Sequence, residues 1–212
     1  MNAVLKTIRL ALPLAMLAAP LSAQSISFGL RGTGSFPTGD FAETQTSAGS
    51  TAAIDGAKSG FGYGAEVGVS LGFIGAYASF DHIKFDCETT TCSTDGKYTL
   101  QGVTAGVKLG LPLMSRFRPF LKGGVTYNDL EGSYGSSSTS NGLTTEKAPG
   151  YEIGVGADYG LLGIVSITPQ LRYVGQNFKG KLPGVTSTTT PSSGVNYFTF
   201  DLGLSLHTPF GM

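Results

Sequence analysis

The chain has 212 residues, and only 13% of them are Asp, Glu, Lys or Arg, whereas soluble domains average about 25%. So few charges cannot coat the exterior of an ordinary soluble domain. The formal net charge is zero, which excludes the strongly basic surface that a nucleic-acid partner requires. Glycine is abundant, with 32 residues, and glycine between bulky apolar residues is typical of tightly curved strands.

The first predicted element is a cleaved secretory signal over residues 1–23. Lys6 and Arg9 precede an apolar run from Leu10 to Pro20, and the triplet LSA ends at Ala23. The run is too short to cross a bilayer as a helix, and no later stretch approaches the roughly 18 apolar residues that a helical span needs. If the mature chain of residues 24–212 enters a membrane, it must therefore do so as a closed barrel.

Period-two alternation after residue 24 predicts about eight strands. Large apolar residues alternate in them with Gly, Ser, Thr or a single charged residue. Short turns and long loops rich in Ser, Thr and Gly follow one another, which is typical of an up-and-down barrel of the outer membrane. The predicted strands are 25–36, 61–73, 76–85, 98–111, 120–130, 150–160, 164–178 and 198–206.

The apolar face of these strands meets either lipid or a protein core. A soluble sandwich or lipocalin-like barrel would turn it inward and need many charges on the other face, which here is mainly Gly, Ser and Thr. The isolated charges on that face balance in sign, and buried charges are tolerated only when they are paired. We therefore expect lipid outside, aromatic girdles near the strand ends, and a plugged interior in which Asp201 meets an internal cation such as Arg31. The predicted interior charge network comprises Arg31, Glu66, Lys108, Lys122, Glu152, Asp158, Arg172 and Asp201.

Two of the predicted strands do not keep the alternation. Tyr77 and Phe80 are aromatic residues on opposite parities of the third strand, and Tyr98 and Leu100 fall off the parity of Val103. Either a bulge near residues 101–102 or strand ends that project beyond the membrane would explain the change.

The signal, the alternating strands, the segment RPFLKGGVTYN and the terminal strand together resemble the small bacterial outer-membrane barrels of the OmpA, OmpX and opacity type. The resemblance implies an all-β fold, a closed antiparallel up-and-down transmembrane barrel of about eight strands. It also implies location in the outer membrane of a Gram-negative-type bacterium, and a last strand that carries the signal read by the barrel-assembly machinery. The residues that match this assembly signal are Phe200, Leu202, Gly203, Leu204, Leu206 and Phe210.

The two cysteines of the chain, Cys87 and Cys92, lie in one predicted exposed loop. In a secreted chain the oxidising compartment predicts a disulfide between them. A metal site would need further ligands than the nearby His82, Asp86 and Glu88, so we expect no metal and no cofactor.

A catalytic role would need a nucleophile with its base. Some small barrels modify lipid A with Ser and His at the outer rim, and here Ser79 and His82 are the nearest such pair. Their odd separation places them on opposite faces of a regular strand. We therefore expect no enzyme activity.

These observations favour a structural or surface-interaction barrel with flexible extracellular loops. A porin-like channel for small solutes is the alternative, although eight strands leave an interior just wide enough for side chains. A lipid A-modifying barrel enzyme and a soluble lipocalin-like binding protein are further alternatives. The expected partners are outer-membrane lipid and lipopolysaccharide, the barrel-assembly machinery during biogenesis, and an unidentified ligand of the loops.

Overall fold

The computed structural model of the protein describes residues 24–42, 56–87, 96–111, 116–133, 143–145, 147–181 and 192–209. The predicted signal over residues 1–23 lies outside these ranges. The described residues are almost entirely in strands, and among them no helix has the length and apolar character to cross a membrane.

Eight long strands and one short strand form a single sheet, and each predicted strand corresponds to one of the long ones. A short 3-10 helix, Gly39–Phe41, follows the first strand. The strands are β1 (Gln24–Thr38), β2 (Ala57–Leu71), β3 (Ile74–Cys87), β4 (Lys97–Gly110), β5 (Phe117–Ser133), β6 (Leu143–Thr145), β7 (Ala148–Leu162), β8 (Val165–Lys181) and β9 (Ser192–Pro209).

The sheet closes into a barrel because β9 pairs antiparallel with β1. The short β6 lies between β5 and β8, as β7 does, and directly precedes β7 in the chain. If one starts at Gln24 and passes from each residue to its partner on the next strand, one circuit of the barrel ends on β1 at Gly34. The strands are therefore staggered by ten residues. A closed barrel of this kind has tilted strands and an interior that side chains fill. The predicted fold class is confirmed.

Tight turns at one end of the barrel set the register of its hairpins. Gly72 joins β2 to β3 with φ 62°, and Gly163 joins β7 to β8 with φ 45°. Glycine occupies this left-handed region without the steric cost that a Cβ brings. This end is called the turn end, and the opposite end, from which the long connections leave, is called the loop end.

The apolar face of the sheet points outward. Phe200, Leu202 and Leu204 on β9 are between 56% and 59% exposed, whereas Thr199 and Asp201, which alternate with them, are fully buried. This orientation is that of a transmembrane barrel and is opposite to that of the soluble alternative.

No bulge interrupts β4, so of the two explanations for the lost alternation the bulge near Gln101 and Gly102 is wrong. Residues 97–109 pair without a register shift with both β3 and β5. Tyr98 and Leu100 point inward, and the apparent change of parity is a change of composition: inward positions are polar in mid-barrel and apolar at the loop end. There they form a buried cluster, called the apolar cap, of Phe41, Ala57, Ile83, Phe85, Tyr98, Leu100, Leu130, Ala148, Val174, Phe178, Val195 and Tyr197.

Candidate functional site

The candidate site is the interior of the barrel, where charged side chains from all eight long strands meet. Seven of these strands supply the predicted residues, and β3 adds Asp81, which is 7% exposed. The predicted residues are Arg31 on β1, Glu66 on β2, Lys108 on β4, Lys122 on β5, Glu152 and Asp158 on β7, Arg172 on β8 and Asp201 on β9. Together with Asp81 they are called the charge network.

Arg172 lies at the centre of the charge network and binds three carboxylates. Its Nε donates to Asp201 Oδ2 over 2.6 Å, and its Nη1 donates to Glu152 Oε2 over 2.7 Å and to Asp81 Oδ2 over 3.1 Å. The side chains of Arg172 and Glu152 are 1% exposed, and that of Asp201 is fully buried. Such a buried cation is tolerated because several acceptors replace its water shell.

Arg31 forms a second centre beside the first. Its Nη2 lies 2.8 Å from both carboxylate oxygens of Asp81, and its Nη1 lies 3.2 Å from Glu66 Oε2. Asp81 therefore bridges Arg31 to Arg172.

Asp201 meets an internal cation as expected, but this cation is Arg172 on β8 and not Arg31. The residue of β9 that pairs with Arg31 is Gly203, while Asp201 pairs with Thr33. Arg31 crosses over Gly64 of β2, where a Cβ would lie 3.0 Å from its Nε. The missing side chain at Gly64 lets the guanidinium turn toward Asp81 and away from Asp201.

Lys122 links the two arginine centres, because it binds Glu66 of the second and Glu152 of the first. Its Nζ lies 2.8 Å from Glu66 Oε2 and 3.2 Å from Glu152 Oε1, and its side chain is fully buried. The same ammonium lies 4.4 Å from the ring centroid of Tyr77. The Tyr77 hydroxyl donates to Glu152 Oε1 over 2.9 Å, so an aromatic residue completes the shell around the ion pairs.

Lys108 and Asp158 form a separate pair closer to the turn end. Their Nζ and Oδ2 atoms are 3.3 Å apart, and the Lys108 side chain is 22% exposed. Lys108 Nζ lies 3.7 Å from the ring centroid of Phe120, and the Thr168 hydroxyl donates to Asp158 over 2.8 Å. This pair borders a cavity of about 100 Å³ that Ser25, Ser27, Ser70 and His207 also line.

Sequence reasoning missed Asp81, although this residue links both arginines. Asp81 stands beside His82, and the aromatic residues on both parities of β3 hid which of the two points inward. The signal that could have identified it is its even spacing from Tyr77 and Ser79, which are both buried in the barrel.

Phe41 closes the apolar cap and was also missed, because it lies in a segment that reads as a polar loop. Its side chain is fully buried, and its ring meets Phe85 edge-on at 5.2 Å between centroids and Tyr98 at 5.9 Å. The only sequence signal was a single aromatic residue placed directly after the turn-forming residues PTGD.

Ser79 and His82 point to opposite sides of the barrel wall. Ser79 is buried inside, whereas the His82 ring lies on the outer wall, 5.2 Å from the ring of Tyr63. The described ranges contain no group of three or more His, Cys, Asp or Glu side chains that could hold a metal ion.

The described part of the predicted assembly signal divides between the two faces of β9. Phe200, Leu202, Leu204 and Leu206 are exposed on the outer wall, and Gly203 faces the interior. Phe210 lies outside the described residues. Cys87 ends β3, and Cys92 lies outside the described residues, so the disulfide between them stays a prediction.

Aromatic side chains surround the outer wall near the loop end. Tyr173 packs between Tyr151 and Phe198, with ring centroids 6.1 Å and 4.9 Å apart. Such a band is typical of the interface between hydrocarbon and headgroups. It is called the outer girdle and comprises Phe36, Phe61, Tyr63, Tyr127, Tyr151, Tyr173 and Phe198.

Solved structures of several outer membrane proteins are similar to this chain. Neisserial surface protein A is 11% identical, with a TM-score of 0.54 over 87% of this chain and 97% of that one. The outer membrane protein OprG from Pseudomonas aeruginosa is 14% identical, with a TM-score of 0.55 over 88% and 96%. A major outer membrane protein from Thermus thermophilus is 13% identical, with a TM-score of 0.52 over 86% and 99%. At these identities the likeness shows the fold alone.

A comparison with curated proteins gives no significant match. Residues 10–207, however, match the outer membrane protein beta-barrel domain. The closed barrel, its outward apolar face and the outer girdle agree with that match. The chain therefore belongs to the outer membrane protein beta-barrel domain family, and its place is the bacterial outer membrane.

Proposed function

We propose that this barrel is a non-conducting structural and surface-interaction protein, whose plugged interior supports extracellular loops that contact an unidentified ligand. The observation that carries the proposal is the filling of the interior in two layers. The charge network crosses mid-barrel, with Arg172 and Glu152 only 1% exposed. The apolar cap lies between this network and the loop end, with Phe85, Leu100 and Leu130 fully buried.

The two layers oppose ion passage for different reasons. An ion in mid-barrel must displace Arg172 or Lys122 from carboxylates that lie 2.6 to 3.2 Å away. An ion in the apolar cap meets side chains that cannot replace its water shell, which is costly in a medium of low polarity. Neither layer alone has to block ions completely, because an ion that permeates the barrel must cross both layers.

Planar-bilayer recording tests this proposal. We expect the inserted wild-type barrel to pass no steady current, with insertion verified by the different gel mobility of unheated and boiled protein. The double variant Arg172→Ala/Phe41→Ala weakens both layers and should admit a small leak. Lys84→Ala, on the outer wall, is the matched control and should stay silent. Regular current steps from the wild-type protein would contradict the proposal.

A small-solute channel is the second candidate, and the cavity of about 100 Å³ at the turn end favours it. Short turns of such barrels face the periplasm, so the cavity would open on that side. If the wild-type protein conducts and Ser27→Trp, which narrows this cavity, lowers the current, the channel becomes the better proposal.

We further propose that the barrel has no catalytic activity. The supporting observation is that the wall of the barrel separates Ser79 from His82, so that they cannot act as a nucleophile and its base. Mass spectrometry of lipid A from cells expressing wild-type protein or His82→Ala should give the same acylation pattern. A difference that depends on His82 would overturn this part of the proposal.

For biogenesis we propose that β9 is the segment read by the assembly machinery. Leu204 pairs directly with Leu30 of β1, and the two side chains are 59% and 58% exposed, so they are matched in environment. Leu204→Asn should delay assembly in cells more than Leu30→Asn does, while both variants refold equally into lipid vesicles. Equal delays in cells would remove the special role of β9.

A further inference from the structure

The cavity of about 100 Å³ at the turn end carries several hydrogen-bond donors on its wall. It is called the turn-end cavity. A site for a drug-sized ligand needs about 300–1,000 Å³, so this cavity suits a ligand of only a few atoms. The donors of its wall include the hydroxyl and nitrogen groups of Ser25, Ser27, Ser70, Lys108, Arg118 and His207.

Arg118 is a cation of this wall without a counter-charge in the described part of the chain. It is exposed and pairs directly across the strands with Asp158. The Asp158 carboxylate, however, accepts from Lys108 Nζ over 3.3 Å and from the Thr168 hydroxyl over 2.8 Å. Because these two donors bind Asp158, the guanidinium of Arg118 stays available at the mouth of the barrel.

The second carboxylate of the wall, that of Glu66, is also bound already. Its Oε2 atom lies 2.8 Å from Lys122 Nζ and 3.2 Å from Arg31 Nη1, and both of these cations belong to mid-barrel. Each carboxylate of the wall therefore has its own cation, and the charge of Arg118 is left over. The ligand that matches such an excess is an anion, since hydrogen bonds between charged partners are the strong ones.

His207 gives an independent sign of a ligand. Its Nε2 atom is buried and has no hydrogen-bond partner among the described residues, and a buried polar atom in that condition is rare. His207 pairs across the strands with Ser27, so the two residues face the cavity from adjacent strands. An oxygen atom of a ligand in the cavity supplies the acceptor that an Nε2–H group needs there.

We propose that the turn-end cavity binds a small oxyanion of the size and charge of phosphate. The fork of the Arg118 guanidinium fits two oxygens of such an ion, and His207 and Ser27 donate to the others. The short turns of such barrels face the periplasm, so the ion enters from that side. A current through the wild-type barrel would contradict the proposed plug and leave this site standing, so the two proposals fail separately.

Phosphorus-31 NMR of inorganic phosphate, titrated with the folded full chain in a non-ionic detergent and a buffer free of other oxyanions, tests the site. Arg118→Gln should weaken binding about tenfold, because it removes charged hydrogen bonds. Arg118→Lys keeps the charge without the fork and should weaken binding less. The matched control is Arg116→Gln, which removes an equal charge two residues earlier, outside the cavity wall, and should change binding less than twofold.

Two neutral substitutions separate the cavity from general charge attraction. Ser27→Trp fills the cavity and should abolish binding. His207→Leu, measured at about pH 8 where a histidine is uncharged, should weaken binding about threefold, and it tests the same point if Ser27→Trp does not fold. Unaltered heat-dependent gel mobility establishes that each variant is folded.

Three results would overturn the site. The first is a wild-type barrel that does not bind phosphate. The second is an equal loss in Arg118→Gln and Arg116→Gln, which would mean that the ion meets only the charged surface. The third is full binding by folded Ser27→Trp or by His207→Leu, because neither variant keeps the cavity and its donors intact.

Discussion

Replacement of Arg172 by Met probes how strongly the charge network holds the barrel together. Arg172 is 1% exposed and supplies both cationic hydrogen bonds of Asp201, at 2.6 and 3.0 Å. Without it, Asp81 keeps Arg31 and Glu152 keeps Lys122, but Asp201 keeps only the Thr199 hydroxyl at 3.2 Å. One fully buried carboxylate is thus orphaned, and loss of one partner from a buried ion pair costs about 3–5 kcal/mol.

Urea unfolding in lipid vesicles measures this loss. The chain contains no Trp, so circular dichroism and heat-dependent gel mobility should report the transition. Lys108→Met is the comparison: Lys108 makes one ion pair at 3.3 Å and is partly exposed, and its partner Asp158 borders the cavity at the turn end, where water replaces the lost ammonium, so we expect a cost of about 1 kcal/mol.

A second substitution identifies the orphaned group. Asp201→Asn in the Arg172→Met background removes the uncompensated charge and should recover about 1–3 kcal/mol of the free energy of unfolding. A loss below about 1 kcal/mol in Arg172→Met, equal to that in Lys108→Met, would mean that water solvates Asp201 and would refute the reasoning from burial.

Three further predictions concern the apolar cap, the packing of the wall and its weakest seam. Phe41→Ala should lower the free energy of unfolding by about 3–5 kcal/mol because it empties a fully buried ring site, whereas Phe61→Ala on the outer wall should change the urea midpoint far less; equal shifts would argue against a packed cap. Gly124→Val should abolish refolding, since a Cβ there would lie 2.7 Å from a carbonyl oxygen of β4, while Gly123→Ala, 3.7 Å from the nearest backbone oxygen, should refold normally. The amides of Ala157 and Asp158 should exchange with deuterium about fivefold faster than the rest of β7, because the pairing of β7 with β8 is interrupted between Gly156 and Tyr159, opposite Pro169, which also gives the β7 carbonyls no N–H donor; uniform protection along β7 would contradict this.

The fold was predictable because one physical rule acts along almost the whole chain. Every spanning strand must keep one face toward lipid, so period two survives even where glycine replaces larger residues. Inward parity also identified eight of the nine members of the charge network. The partner of Asp201 was not predictable, because an arginine reaches several strands away. The direction of an arginine side chain depends on the ten-residue stagger between the strands and on positions without a side chain, such as Gly64. Only the closed barrel defines which of these positions lie beside the arginine.

Phe41 illustrates a different limit. The side of the wall to which a strand residue points follows from the residues next to it, because the sides alternate. This rule does not apply to a loop residue, so the alternation does not indicate that Phe41 enters the barrel. Its placement depends on Gly39, whose φ of 59° turns the chain toward the mouth after β1, and on a cap that residues of other strands build.

The change of parity on β3 and β4 follows from a change of surroundings along the barrel axis. In mid-barrel the outer wall meets lipid, so Ala78 and Phe80 point outward and the polar Ser79 and Asp81 point inward. Beyond Asp81 the outward positions become His82, Lys84 and Asp86, while Ile83 and Phe85 point inward.

The same exchange occurs on β4, where outward Lys97 and Thr99 accompany inward Tyr98 and Leu100, before outward Val103 accompanies inward Thr104. Water outside the wall at the loop end removes the need for an apolar exterior, and burial of apolar side chains inside then stabilises the barrel as it does in soluble proteins. The apolar residues therefore change sides where the solvent changes. The chain is a membrane barrel over most of its length and a soluble-type barrel at the loop end, and on β3 the crossing between Asp81 and His82 lies beside the outer girdle, because His82 pairs with Tyr63.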